Sequence, residues 1–176
     1  MLMLLFSPIF GIISLMILID DGFPIIFKQK RIGRKKKLFK IFKFRTMIRD
    51  TPNIETDLLI KSSKSYYTKT GPFLRKYSLD ELPQLFNILK GDMNFIGPRP
   101  ALFNQNELIS LRENHKINHF SPGLTGLAQV NGRDNLSDYE KVNFEKYYKD
   151  NKSFLLDLKI IYFSIFKVLK SENVHK

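Results

Sequence analysis

The stretch FLRKYSLDELPQLFNILKGD, residues 73–92, places two neighbouring acids, Asp80 and Glu81, directly before a helix-like pattern. Its apolar side chains recur at intervals of three and four, as they do on one face of a helix: Leu82, Leu85, Phe86 and Leu89. Gly91 is a typical residue at the end of a helix. The stretch therefore predicts a short helix that begins near the acid pair and ends at Gly91.

The start of this helix has two interpretations. Proline is tolerated only in the first turn of a helix, so Pro83 favours Asp80 as the N-cap. Alternatively, Ser78 and Glu81 have the spacing of a capping box. Either arrangement puts both acids at the positive end of the helix dipole, where we expect them to stay ionised. The pattern is equally compatible with capping residues and with the working groups of an active site.

Basic residues are concentrated in one part of the chain. The 176 residues carry a net charge of +12, and eleven Lys or Arg but no acid lie between Lys28 and Arg49. Such a cluster attracts phosphate-rich partners, namely nucleic acid, anionic lipid or phosphorylated small molecules. The chain has no cysteine, which excludes disulfides and cysteine-based sites. Its length is typical of one domain.

The basic cluster falls on a predicted β-hairpin. Residues 23–33 and 38–47 have the composition of strands, and a basic turn joins them. In an extended segment Lys43 and Arg45 would share one face, as a phosphate site requires. A solvated strand edge explains the same pattern.

Both ends of the chain are strongly apolar. MLMLLFSPIFGIISLMILI, residues 1–19, contains no charge and would just cover a hydrocarbon core of about 30 Å as a helix. A break at Ser7 and Pro8 would return this segment to the face it entered, while a spanning helix is the alternative. The basic run that follows predicts that the rest of the chain is cytoplasmic. Residues 154–170 fit an amphipathic interfacial helix or a core helix.

Two further segments present candidate ligand-binding groups. Arg99 lies between two prolines, which predicts a stiff, non-helical turn. Residues 121–133 are rich in glycine and end at Arg133, and such a backbone can approach a ligand closely. His115 and His119 lack a third metal ligand nearby and are interpreted as surface residues.

Together these motifs resemble those of the bacterial sugar transferases, the monotopic polyprenol-phosphate phosphoglycosyl transferases. The resemblance rests on five segments in order: FSPI, KIFKFRTM, FLRKYSLDELPQLFNILKGDMNFIGPRP, PGLTGLAQVNGR and SFLLDLKI. It implies a small α/β (α+β) fold with a re-entrant N-terminal membrane helix, residues 1–22, broken at Ser7 and Pro8. A cytoplasmic catalytic domain, residues 23–176, with amphipathic interfacial helices would follow. The implied location is the cytoplasmic face of the bacterial inner membrane.

The resemblance also implies an activity. Such enzymes transfer a sugar-1-phosphate from a UDP-sugar to polyprenyl (undecaprenyl) phosphate and release UMP, the first membrane step of glycoconjugate synthesis such as that of exopolysaccharide. By analogy Asp80 forms a covalent phosphosugar intermediate, and Glu81 helps to hold Mg²⁺. The cations expected to bind substrate phosphate are these: Arg75, Arg99, Arg133, Lys43 and Arg45.

Some features stay open. This chain has Ser121 before Pro122 and Leu127 after Gly126, where the family often has Arg and Trp. A membrane-tethered basic binding module and an inactive scaffold relative are the alternative functions. The expected partners are a UDP-sugar, polyprenyl phosphate and the bilayer, with no nucleic acid. The sugar is not identified by the sequence, and a homodimer is neither predicted nor excluded.

Overall fold

Helices and two small sheets make up the structure, a computed structural model that describes residues 2–49, 51, 66–132 and 135–170. The elements follow in this order: α1 (Leu2–Asp21), β1 (Ile26–Ile32), β2 (Leu38–Phe44), α2 (Gly71–Lys76), α3 (Gln84–Leu89), β3 (Asn94–Ile96), α4 (Asn106–Asn114), β4 (Gly123–Thr125), α5 (Leu127–Asn131), α6 (Asp138–Asp150) and α7 (Phe154–Lys170). Short 3₁₀ turns cover these segments: Arg34–Lys36, Leu79–Glu81 and Ile117–His119. The mixed α/β fold class predicted from the sequence is confirmed.

The predicted basic hairpin is present. Strands β1 and β2 pair antiparallel, from Ile26 opposite Phe44 to Ile32 opposite Leu38. Lys35 and Lys36 at its tip have positive φ angles, a backbone conformation that a tight reversal of the chain requires. The hairpin carries Lys43 toward the centre of the molecule, where the candidate site lies.

Helix α1 packs on the hairpin and on α2. Ile13 and Ile17 form a buried cluster with Phe44 of β2 and Leu74 of α2. At the end of α1, Asp20 accepts hydrogen bonds from the backbone N and the hydroxyl of Thr70, at 2.7 and 2.8 Å. The helix assignment runs through Ser7 and Pro8. The re-entrant break there stays a prediction, as does a domain boundary after residue 22.

The glycine-rich segment forms a parallel strand pair. Strands β3 and β4 align Asn94 with Gly123 and Ile96 with Thr125. A Cβ atom added to Gly123 would lie 2.1 Å from the backbone nitrogen of Gly97, a distance that no side chain tolerates. Glycine is therefore needed here for the close approach of two backbones.

The C-terminal helices pack around two further clusters. Ala101, Leu108, Ile117 and Val142 form one of them. In the other, Val130 and Tyr148 meet Ile160 of α7. Tyr148 also donates a 2.7 Å hydrogen bond to Asp157, which fastens α7 to α6. The pKa of Tyr148 is raised by burial and by this carboxylate.

Most of the large apolar side chains of α7 face outward. Ile160 is its one buried residue, whereas these are exposed: Phe154, Leu155, Leu158, Ile161, Tyr162, Phe163, Ile165, Phe166 and Leu169. The core-helix interpretation thus accounts for only a narrow stripe of α7. In the part of the chain that the structure describes, no helix has the length and apolar character needed to cross a bilayer.

Candidate active site

The two acids lie in a tight turn between α2 and α3. Asp80 and Glu81 belong to the 3₁₀ turn Leu79–Glu81, and both are buried, at 6% and 7% exposure. Ser78, just before them, has a left-handed backbone with φ of 52° and makes no capping hydrogen bond with its side chain. A capping residue needs an extended backbone, so the predicted capping box is wrong.

The N-cap role of Asp80 is wrong as well. Helix α3 begins at Gln84, and Pro83 occupies its N-cap position. The chain reaches α3 through successive i to i+3 hydrogen bonds, among them Leu82 N to Leu79 O at 3.3 Å and Leu85 N to Leu82 O at 3.0 Å. The predicted end of the helix is confirmed, since Gly91 follows the last turn with φ of 79°. Neither predicted cap is therefore the reason for the two acids at this position.

Glu81 is held by two of the cations predicted to bind phosphate. The Lys43 ammonium donates to Glu81 Oε1 across 2.8 Å, and Arg99 Nη1 donates to the same oxygen across 3.3 Å. Burial lowers the pKa of Lys43, an effect that the charge of Glu81 partly offsets. Arg99 lowers this pKa further and Asp80 raises it, so all four groups interact electrostatically. The structure therefore brings Lys43 and Arg99 into contact with Glu81, and Asp80 is the neighbouring buried residue of the same turn.

An asparagine fixes Lys43 beside the acids. Asn87 of α3 is fully buried; its Nδ2 donates to Lys40 O at 2.8 Å and its Oδ1 accepts from Phe42 N at 3.0 Å. These bonds clamp β2 against the helix that follows the acid pair. Sequence reasoning missed Asn87, although an asparagine within an apolar helical pattern is a signal of a satisfied buried polar group.

Arg99 is anchored through its backbone by a buried ion pair. Arg112 donates through Nη2 to the Arg99 carbonyl at 3.0 Å, and its Nε donates to Glu145 at 2.8 Å. Arg112 and Glu145 are 4% and 5% exposed. The β3–β4 pair adds a bond from Gly123 N to Pro98 O at 2.9 Å. The turn predicted from the flanking prolines is thus rigid, but nothing in the sequence pattern identified Arg112 or Glu145.

Arg75 and Arg45 lie in other surroundings. Arg75 donates to Thr46 Oγ1 at 2.9 Å, and its guanidinium lies 5.2 Å from the centre of the Tyr67 ring. Arg45 is buried at the end of α1, where it forms an ion pair with Asp21 at 2.9 Å and donates to two backbone carbonyls. The structure does not bring Arg45 into contact with Glu81. Phosphate binding by Arg75 and Arg45 stays a prediction.

Arg133 falls outside the described residues, so its predicted contact with phosphate also stays a prediction. The glycine-rich segment before it has a structural role, while its expected approach to a ligand stays a prediction. Besides Gly123, the backbone of Gly126 approaches Gly97, whose oxygen would lie 2.1 Å from an added Cβ. These glycines permit contacts between backbones, which position the Arg99 turn.

The adjacent carboxylates suit a magnesium ion in one respect. Mg²⁺ in phosphate chemistry is usually bound by one or two carboxylates together with substrate phosphates, and Glu81 is the carboxylate expected to bind it here. Within the described residues no three metal-binding side chains cluster. An ion at this turn would therefore need water or substrate oxygens as further ligands.

Comparison with known proteins identifies relatives along nearly the whole chain. The family model described as bacterial sugar transferase matches residues 1–171. The uncharacterized sugar transferase EpsL of Bacillus subtilis (strain 168) is 43% identical over 155 residues, which are 88% of this chain and 75% of EpsL. The UDP-glucose:undecaprenyl-phosphate glucose-1-phosphate transferase of Klebsiella pneumoniae is 40% identical over 95% of this chain.

A third relative is the undecaprenyl-phosphate galactose phosphotransferase of Salmonella typhimurium (strain LT2), which is 35% identical over 88% of this chain. The chain spans only 37% and 35% of the Klebsiella and Salmonella proteins. The similarity therefore covers this chain almost completely and a limited part of those longer relatives.

Proposed function

The chain belongs to the bacterial sugar transferase family, and from this premise we propose that it transfers a sugar phosphate from a UDP-sugar to polyprenyl phosphate. The names of the Klebsiella and Salmonella relatives support this substrate pair. The observation that carries the proposal is the buried Asp80–Glu81 pair with Lys43 and Arg99 on Glu81. Carboxylates beside fixed cations are suited to reactions of phosphate groups. An exopolysaccharide or a related glycoconjugate would be the eventual product.

In the first step an oxygen of the Asp80 carboxylate attacks the phosphorus that bears the sugar. The bond from this phosphorus to the bridging oxygen of the diphosphate breaks. That oxygen keeps the electron pair and leaves as part of UMP. The phosphosugar is then joined to Asp80 as a mixed anhydride.

In the second step an oxygen of the polyprenyl phosphate attacks the same phosphorus. The bond between that phosphorus and the Asp80 oxygen breaks, and the carboxylate is restored. The product is a polyprenyl diphosphate sugar. Covalent catalysis of this kind divides one difficult displacement into two easier ones.

The contacts of Glu81 support separate roles for the two acids. Glu81 Oε1 accepts from two cations, which reduces its nucleophilicity and fits a positioning role. Lys43 and Arg99 also offset the negative charge that a diphosphate brings beside two carboxylates. Glu81 would help to hold Mg²⁺, which when bound supplies further neutralisation of phosphate charge. Arg75, Arg45 and Arg133 are proposed to assist in binding the donor.

Exposed apolar side chains on two helices support a location at the membrane. Ile12, Leu15 and Ile19 of α1 are 61%, 57% and 78% exposed. Helix α7 adds an apolar surface with lysines at its end, a composition typical of interfacial helices. We place α1 in the cytoplasmic leaflet of the bacterial inner membrane as a re-entrant helix, with α7 at its surface. The acceptor phosphate would then meet the acid pair at the bilayer face.

Nucleotide release is the direct test of this function. The full chain is incubated with a panel of UDP-sugars and Mg²⁺, with and without undecaprenyl phosphate. We expect multiple-turnover release of UMP with at least one sugar, and only in the presence of the lipid. A basic binding module or an inactive scaffold would release none with any sugar, and that result would contradict the proposal.

A further inference from the structure

A groove of about 430 Å³ opens beside the acid pair. Glu81 and Arg99 line it, together with residues of the last turns of α7 from Ile161 to Leu169. The groove therefore connects the proposed reaction centre with a helix that carries many exposed apolar side chains.

Hydrocarbon side chains line most of the groove. Leu82, Leu85, Phe95, Leu124, Ile165 and Val168 contribute to its walls. A UDP-sugar is polar over almost its entire surface, and burying hydroxyls or a uracil without hydrogen-bond partners is unfavourable. The polyprenyl chain is the part of the two proposed substrates that suits such walls.

The charged residues of the groove point to the same ligand. Three cations and one carboxylate line it: Lys76, Arg99, Lys167 and Glu81. This balance is complementary to a phosphate at the head of an apolar chain. Arg99 lies at the same time in contact with Glu81, so a head group near Arg99 is close to the acid pair.

Helix α7 is held in place where it faces β4. Several of its groove-lining side chains are at the same time exposed on the apolar surface of the helix. Ser164 and Thr125 are hydrogen-bonded through their hydroxyls at 2.6 Å, which holds α7 against β4. Ile161, Ile165 and Leu169 line the groove and are 39%, 58% and 71% exposed. A chain leaving the groove over these residues passes across apolar surface into the bilayer.

We propose that this groove binds the isoprene units of the polyprenyl phosphate nearest to its phosphate. The assignment rests on the proposed function and specifies where its acceptor lies. Arg99 faces the phosphate end, and Ile165 and Val168 contact the hydrocarbon.

The test separates the two steps of the reaction. Val168→Trp narrows the groove, and Leu158→Trp adds the same ring to α7 at an exposed residue that does not line it. For Val168→Trp we expect the KM for undecaprenyl phosphate to rise at least about tenfold, the effect of losing contacts with about two methylene groups. Release of UMP in a single turnover with donor alone should stay within about twofold of wild type in both variants.

An unchanged acceptor KM in Val168→Trp would overturn the groove assignment, and so would an equal effect in Leu158→Trp. If wild type itself released no UMP, the proposed function would fail and the groove assignment with it. These outcomes are distinguishable because the donor reaction is measured without lipid.

A second measurement requires no variant. A polyprenyl phosphate with a photoreactive group in its first isoprene units is irradiated with wild-type protein in phosphatidylglycerol vesicles. We expect crosslinks to the groove, that is to residues 82–85, Phe95, 124–130 or 161–169, that excess undecaprenyl phosphate abolishes. Crosslinks confined to other segments, or equal loss with extra phosphatidylglycerol, would overturn the assignment, the latter by showing a general lipid site.

Discussion

Lys43 of strand β2 donates to Glu81 across 2.8 Å, and this contact joins the basic hairpin to the turn that carries both acids. The two residues are 38 positions apart in the chain. Arg99 reaches the same Glu81 oxygen from a third segment. The acid pair is thus part of a charge network assembled from distant parts of the sequence, and the network explains how two carboxylates can be buried side by side.

Glu81→Gln tests the positioning role of this residue. The amide keeps the size of the side chain but loses the charge that pairs with Lys43 and Arg99. We expect UMP release to fall at least about tenfold and its dependence on Mg²⁺ concentration to weaken. The rate is measured over a magnesium titration, with far-UV circular dichroism as the control for folding. An unchanged magnesium profile would argue against a metal at Glu81.

The lowered pKa of Lys43 predicts an alkaline limit to activity. Burial lowers this pKa below the ordinary value of 10.5, so the ammonium loses its charge before an exposed lysine would. We expect activity to fall on the acidic side of pH 10.5, and Lys43→Arg to move the fall to higher pH because a guanidinium stays charged above about pH 12. Initial rates over an alkaline pH series check this. Superimposable profiles for the two proteins would assign the limit to another group.

Lys43 is expected to make the folded protein more stable as pH rises, although activity is expected to fall. The unfolded chain binds this proton more tightly than the folded chain does, because the folded-state pKa is the lower one. The contribution of Lys43 to the free energy of unfolding therefore becomes more favourable as pH rises toward 10.5. Titration of Lys43 is therefore not expected to unfold the protein in this pH range. Circular dichroism at each pH distinguishes unfolding from a loss of activity in the folded protein.

Arg112→Met tests the buried ion pair behind Arg99. The change leaves Glu145 charged and buried without its partner, which usually costs about 3–5 kcal/mol. Lys141→Ala is the matched control, because it removes one partner of a more exposed pair with Asp138, worth at most about 1 kcal/mol. Chemical denaturation followed by circular dichroism gives both values. Equal losses in the two variants would mean that burial of the Arg112–Glu145 pair is not important.

Gly123→Ala tests the close contact of β3 and β4. A methyl group there would meet Gly97 N at 2.1 Å and Thr125 O at 2.4 Å, both backbone atoms that cannot move aside independently. We expect a large loss of stability, on the order of several kcal/mol, since overpacking already costs about 1–3 kcal/mol where side chains can adjust. Gly11→Ala in α1 has open space around it and should be neutral or slightly stabilising. Denaturation midpoints that shift equally would contradict the role of Gly123.

Local patterns in the sequence predicted those parts of the fold that depend on neighbouring residues. The hairpin, its basic turn and the helix end at Gly91 follow from strand composition and turn chemistry. The capping box at Ser78 was wrong although its spacing is correct. A genuine capping box occurs at Ser137 and Glu140, where Ser137 has the extended backbone that Ser78 lacks. The difference lies in the backbone conformation, which the spacing of the two residue types does not reveal.

Contacts between side chains that are far apart in the sequence were harder to predict. Lys43 and Arg99 were predicted as phosphate ligands, but their shared contact with Glu81 depends on how β2, the acid turn and the Arg99 turn pack. Arg45 was grouped with Lys43 on one strand face, yet β2 ends at Phe44 and Arg45 turns to Asp21. Arg112 and Glu145 were missed because a buried polar residue has no periodic signature when its partner is remote, and the signal at Asn87 does not identify its partners on β2.

Capture of the phosphosugar on Asp80 tests the central claim most directly. Wild type, Asp80→Asn and Glu81→Gln are incubated with a UDP-sugar and Mg²⁺ without lipid, and the intact mass and peptide fragments are measured. We predict that wild type gains the mass of the sugar phosphate on the peptide containing Asp80, and that undecaprenyl phosphate removes it. Asp80→Asn should gain nothing. An adduct on another residue, or transfer by Asp80→Asn at the wild-type rate, would contradict the account.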